Sequence, residues 1–142
     1  MEITIPFKTP TINHLYFNWN NRRILTKESR QIKKEIQEIT MKSLPFVCPN
    51  LNDGLTVEVE IHENWLTKKG EVKKKDISNR EKFLIDSIFD ALNIDDKYIF
   101  EHSMRKVQSK KEYAVIEIKS RSFKMAEDET EEEQTEEDSD EE

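Results

Sequence analysis

The chain has a single cysteine, Cys48, among its 142 residues. That excludes an intramolecular disulfide and any cysteine-based zinc site. No apolar run approaches the length of a membrane span. The start, Met1-Glu2-Ile3-Thr4-Ile5, lacks the charged end and apolar core of a signal peptide. No repeat occurs at solenoid spacing. These absences predict a soluble, intracellular, cytoplasmic protein with no membrane partner. A further absence is local. From Glu127 to Glu142 there are 12 acidic residues, with no basic and no apolar ones. Such a run cannot bury enough surface to offset the entropy of ordering it. The expected organisation is one domain over residues 1–122 and a disordered acidic tail over residues 123–142.

The charge divides with the chain. Of 30 acidic residues, 12 sit in the last 16 positions, so residues 1–126 carry 23 basic against 18 acidic side chains, a net of +5. The whole-chain net of −7 hides a basic body. A basic body suits a partner rich in phosphate, although lysine-rich surfaces are also common without one. The tail has two readings. It is a solubilising extension, or it competes, as a tethered polyanion, with a phosphate-rich partner for the basic body.

Ile3, Ile5 and Phe7 alternate, which predicts a short strand ending between Pro6 and Pro10. Asn13 to Asn21 reads as a polar and aromatic loop. Thr26 precedes a helical pattern with Ile32, Ile36 and Ile39 on one face, ended by Pro45 and Pro49. Asp53-Gly54 marks a turn. Val57, Val59 and Ile61 alternate with Glu58, Glu60 and His62, a half-buried strand. Thr67 to Lys75 is a basic loop. A second helix over about Ser78 to Leu92 has a broad apolar surface, suited to a sheet and to a partner subunit. Strands over about Tyr98–Val107 and Glu112–Lys119 follow, joined at Gln108-Ser109-Lys110-Lys111 as a hairpin. Ala114, Ile116 and Ile118 are assigned to the core. The order β-α-β-α-β-β predicts an α+β layer pair, with helices packed on one small sheet, mixed or antiparallel.

The chemistry is concentrated in Lys73-Lys74-Lys75-Asp76-Ile77-Ser78-Asn79-Arg80-Glu81-Lys82. A cationic loop runs into a carboxylate and then a helix with a lysine one turn inside. Asp95-Asp96 follows that helix. If the helix folds back on the sheet, Asp76 and Asp96 meet. Phosphodiester cleavage needs such groups. Carboxylates hold Mg²⁺, a hard cation that keeps several waters. The metal activates a water and screens the phosphate. A lysine neutralises charge on the phosphorane, and further lysines attract the backbone.

This stretch resembles the RusA family of Holliday-junction resolvases. Its pattern is a basic run, D-x-D-N or a close variant, a lysine, a helix with D-A-L, and a D-D pair. Here these read Lys73-Lys74-Lys75-Asp76-Ile77-Ser78-Asn79, Lys82, Asp90-Ala91-Leu92-Asn93 and Asp95-Asp96. Ile3-Thr4-Ile5-Pro6, Asn13-His14-Leu15-Tyr16 and Arg23-Ile24-Leu25-Thr26 are similar to the family's opening strand and Asn-containing loop. The resemblance spans roughly Glu2 to Lys119. It implies a small mixed sheet and metal ligation by Asp76 and Asp96; Asp95 or a water would complete the shell. Mg²⁺ is the implied cofactor, Mn²⁺ being open, with no organic cofactor. Lys82 would contact the scissile phosphate, and Lys73, Lys74, Lys75, Asn13 and Arg23 would contact DNA. The implied assembly is a homodimer that nicks four-way DNA symmetrically.

Ser78 departs from the pattern, standing where the family has its second aspartate. A hydroxyl is a poorer Mg²⁺ ligand than a carboxylate, which predicts weaker metal affinity. Ser78-Asn79-Arg80-Glu81 also reads as a capping box, and Asn79 either supports the site or caps the helix. Plainer readings remain beside each role: Asp76 as a helix-start residue, Asp95-Asp96 as a turn, Lys82 as a solvated lysine, Asp90 as structural. His14, His62 and His102 lack the spacing of a ligand pair. Trp19 and Trp65 either stack on exposed bases or belong to the core or an interface. The chain therefore reads as a metal-dependent junction endonuclease. The alternatives are a catalytically weak or inactive branched-DNA-binding protein of the same fold, and an interaction module alike only in fold.

Overall fold

The structure is a computed structural model that describes residues 1–10, 16–46, 48, 50–75 and 77–121, with Asn79 through its backbone only. Asn13, His14, Asp76 and the acidic tail lie outside the described residues. Among those described, no helix is long and apolar enough to cross a membrane.

Strand β1, Glu2–Ile5, buries Ile3 and Ile5 and leaves Glu2 and Thr4 outside. Strands β2, Tyr16–Trp19, and β3, Arg22–Leu25, form an antiparallel hairpin apart from the main sheet. Sequence reasoning expected a loop there. The segment lacks apolar alternation because most of it is exposed and only Tyr16, Ile24, Leu25 and the following Thr26 are partly covered. Its turn chemistry was nonetheless present. Asn20 and Asn21 have φ of 48° and 60°, the left-handed geometry that a two-residue hairpin turn needs and asparagine tolerates.

Helix α1, Lys27–Lys42, starts at Thr26, whose hydroxyl accepts from the Ser29 N–H at 3.1 Å. Its inner face buries Ile36 and Thr40, with Ile32 and Ile39 packed beside them. Strand β4, Leu55–Glu63, alternates strictly between buried and partly exposed positions. Gly54, just before it, has a φ of 88°, and a side chain there would lie 2.7 Å from the Phe100 ring. Helix α2, Ser78–Leu92, buries Phe83, Leu84, Ile85, Ile88 and Phe89 within the chain itself. Those five residues therefore need no partner subunit to cover them. Ser78, read as a helix cap, is the first residue of α2. The cap position falls on Ile77, whose φ of −67° and ψ of −34° are already helical, and Glu81 pairs instead with His102 at 3.2 Å.

Strands β5, Ile99–Gln108, and β6, Tyr113–Ser120, complete a sheet of order β1-β6-β4-β5. β4 runs parallel to β5, and the other neighbours are antiparallel. The expected β5–β6 hairpin is overturned, because β4 lies between the two strands. A turn signal marks where the chain reverses, not which strand it rejoins. β4 takes the centre because it buries Leu55, Val57, Val59 and Ile61 opposite Ala114, Ile116 and Ile118. Both helices contribute to the one core that includes this face of the sheet. The fold is α+β, two helices on a small mixed sheet.

One buried ion pair ties the layers together. Glu63 ends β4 at 2 % exposure, and Arg80 opens α2 at 2 %. Arg80 NH1 donates to Glu63 Oε1 at 2.7 Å and to the Thr9 carbonyl at 2.9 Å. Lys75 Nζ reaches the other Glu63 oxygen at 3.2 Å. The Lys75 carbonyl in turn accepts from Lys106 Nζ of β5 at 2.7 Å. Trp65 lies beside Arg80 and Lys106, its indole N–H bonded to the Ile61 carbonyl at 3.0 Å. Arg80→Ala leaves Glu63 buried without its main partner, so it should cost about 3–5 kcal/mol in urea unfolding. Replacing both partners, Glu63→Leu with Arg80→Met, should cost much less. Equal losses in the two variants would show that the pairing is not what holds this corner.

Candidate active site

Lys82, Asp86 and Asp90 follow one another at helical i, i+4 spacing along one face of α2. The helix stops at Asn93, whose φ of 55° is left-handed. The chain then turns at Asp95, whose carboxylate accepts from the Lys97 N–H at 2.9 Å, and enters a 3₁₀ turn over Asp96–Tyr98. The result is an acidic pocket of about 490 Å³ lined by Asp86, Phe89, Asp90, Asn93, Ile94, Asp95 and Asp96.

Asp86 is the residue that sequence reasoning missed. Burial pushes its carboxyl above the ordinary 3.8, Lys82 opposes this, and the charges of Asp96 and Asp90 push it further. So Lys82, inside α2, and Asp96, beyond its end, act on the same carboxylate. The i+4 spacing from Lys82 through Asp86 to Asp90 was the available signal. Asp90 has the structural role expected of it, bonded to Lys33 of α1 at 2.8 Å. Glu81 is also pushed up, first by burial, with the nearby His102 opposing and Asp86 adding to the rise.

The cationic loop is tightly built. Leu66 and Val72 form a β-bridge, Gly70 turns with a φ of 81°, and the Lys73 N–H donates to the Trp65 carbonyl at 2.8 Å. Lys68, Lys69 and Lys74 are exposed and Lys73 is half-buried. Lys75, expected to meet DNA, is held by Glu63. Arg23 is exposed, with its guanidinium 4.4 Å from the centre of the Tyr16 ring. His62 stacks on Tyr113 with ring centres 4.2 Å apart and takes no part in the pocket. Trp65 is core; Trp19 is 61 % exposed.

Asp76, expected to meet Asp96, lies outside the described residues, and its neighbour Lys75 sits far from Asp96. Lys75, next to position 76, is fixed to Glu63 at the far end of β4. Asp96 precedes Ile99, which pairs with Leu55 at the near end. The nine residues of β4 put these two ends on the order of 25 Å apart. α2 packs on the sheet, but its parallel β4-α2-β5 connection carries the chain from one end of the sheet to the other. Among the described residues, no three acidic, histidine or cysteine groups come together closely enough to hold a metal ion.

Asp86→Asn should remove the cost of burying a charge there, to which the repulsion from Asp96 and Asp90 adds. A raised carboxyl pKa means that ionisation costs stability. The variant should therefore be slightly more stable than the parent at pH 7 without divalent metal, by up to about 1 kcal/mol. The gain should vanish as the pH falls through the carboxylate range and Asp86 of the parent protonates. Thermal melts across pH would read this, and a gain that persists in acid would refute the cause.

A protein-family model described as endodeoxyribonuclease RusA matches residues 6–119. No curated protein matches the chain. The matched span contains both helices, the hairpin, the cationic loop and the acidic pocket, and the chain belongs to the RusA endodeoxyribonuclease family.

Proposed function

We propose that this chain is a Mg²⁺-dependent, structure-selective endodeoxyribonuclease that resolves Holliday junctions by paired symmetric nicks. In this reading it works in the cytoplasm as a homodimer, in DNA recombination and repair. The observation that carries the reading is the joint placement of Lys82 and Asp96 around Asp86 in a chain of this family. The pocket offers hard carboxylate oxygens, with no histidine or cysteine in its lining, which suits Mg²⁺ or Mn²⁺. Burial is the first cause of the raised Asp86 pKa, with Asp96 and Asp90 adding to it and Lys82 opposing, and a cation in the pocket would favour the ionised carboxylate.

Asp76 and Asp96 are the proposed metal ligands, with Asp95 supplying its free oxygen. Since the two ends of α2 are far apart, they would come from different chains. Asp76 of one subunit would meet Asp96 of the partner subunit across a two-fold axis, giving two equivalent sites. The metal would supply an acidified bound water and charge neutralisation at the phosphate. Lys82 would neutralise charge on the phosphorane, and Asp86 one turn away would keep it charged and oriented. Lys73, Lys74, Arg23 and Asn13 would hold the DNA backbone, with Lys75 bracing the loop. Ser78 replaces a carboxylate at the start of α2, and this favours the second reading, a weak or inactive enzyme that still binds branched DNA.

A labelled four-way junction and a matched duplex, incubated with Mg²⁺, Mn²⁺ or EDTA, test the reading. Symmetric junction nicks should require metal. Asp76→Asn and Asp96→Asn should each abolish them, and Lys82→Ala should slow them by about 10²–10³-fold. Mixing the two inactive aspartate variants should restore activity, because a mixed dimer regains one intact site. No restoration would place both ligands in one chain. Ser78→Asp should lower the Mg²⁺ needed for half-maximal cleavage. Junction binding without cleavage under either metal would make the second reading the better one.

A further inference from the structure

The β2–β3 hairpin stands outside the main sheet and shows an apolar face to solvent. Trp19 pairs directly with Arg22, and Phe17 with Ile24. Directly paired residues lie on the same side of a two-stranded ribbon. One side therefore presents Phe17, Trp19, Arg22 and Ile24. The other presents Tyr16 and Leu25, which pack against the core. On the open side Phe17 is 45 % and Trp19 61 % exposed. Nothing in the core explains two large rings held in water at the tip of a hairpin. The contrast with Trp65 is direct: it is 4 % exposed and its indole N–H is satisfied.

The charge identifies the occupant. Residues Tyr16–Leu25 include Arg22 and Arg23 and no acidic residue. Flat rings beside the Arg22 guanidinium, which shares their side of the ribbon, are what an unstacked nucleobase and its phosphate require. The rings take the base face, whatever the sequence, and the cation takes the backbone. Paired duplex bases offer no such face. We infer that the outward side of the β2–β3 hairpin is a base-stacking site for unpaired nucleotides of DNA, with Trp19 as its principal platform. This rests on the DNA-directed reading above and adds to it a site separate from the acidic pocket.

The test uses the full chain and three DNAs at one fixed salt concentration: oligo(dT), a four-way junction and a matched duplex. Because Trp65 is buried, oligo(dT) should quench the fluorescence of Trp19, and the quenching should be absent in Trp19→Phe. Trp19→Ala should weaken binding to oligo(dT) about tenfold or more, while duplex binding stays unchanged. Trp19→Phe should retain most of the affinity. Equal weakening on oligo(dT) and duplex, or no weakening on either, overturns the inference. Sedimentation of Trp19→Ala runs alongside. Conversion of an oligomer to monomer would mean that the face meets a second copy of the chain, and would also overturn it. Wild-type junction cleavage separates this inference from the enzymatic reading. If wild type nicks and Trp19→Ala binds every DNA as wild type does, only the stacking site falls. If binding to oligo(dT) depends on Trp19 but nothing is nicked, the stacking site stands and the nuclease reading falls.

Discussion

The ion pair between Glu63 and Arg80 is the constraint on which the placement of the functional segments depends. Both side chains are almost fully buried, and a buried pair gains little over a well-packed apolar one. Its use here is positional. Glu63 closes the central strand, Arg80 opens α2, and the chain between them holds the cationic loop. By binding Arg80 and Lys75 at once, Glu63 fixes the segment on either side of position 76. Lys106 adds a second tether from the neighbouring strand. A purely apolar corner would pack as well, but it would not specify how the loop enters the helix.

The second constraint is topological. β4 and β5 are parallel, so α2 must carry the chain back along the sheet before β5 begins. Lys75, ahead of α2, and Asp96, beyond it, are thereby sent to opposite ends. In the proposed reading the motif that looks like one site in the sequence is shared between two chains. Two copies related by a two-fold axis would reunite the halves, and this ties the proposed dimer to the chemistry rather than to stability. That α2 already buries its apolar face within its own chain is consistent with the division.

Much of the fold was legible in the sequence because most segments carry a clear period. The alternation of Val57, Val59 and Ile61, and the helical spacing of Ile32, Ile36 and Ile39, read directly as strand and helix. The hairpin at Asn20-Asn21 was missed because its exposed side carries Phe17 and Trp19, which break the apolar-in, polar-out pattern. The β5–β6 pairing was misassigned because adjacency in sequence was taken for adjacency in the sheet. For the candidate site, motif order pointed to Lys82 and Asp95-Asp96. It did not point to Asp86, because a carboxylate on a helix face looks like ordinary solvation until burial and its neighbours are known.

Charge placement narrows how a polyanion can approach. The sheet face left uncovered by the helices carries Glu2, Glu58, Glu60 and Glu117. Three of these sit side by side on neighbouring strands, Glu2 against Glu117 and Glu117 against Glu58. Like charges so placed cost stability, and Lys119 and Arg105 partly offset them, at 3.1 Å from Glu117 and 2.9 Å from Glu60. The cost is intelligible if this face must repel DNA. In the proposed reading, Lys68, Lys69 and Lys74 on the loop and Arg22 and Arg23 on the hairpin would define where the backbone can lie. Repulsion from the open face and attraction at the loop and hairpin would act in the same sense. Together they would direct a branched duplex away from the sheet and toward the segments that bear Lys82 and Trp19.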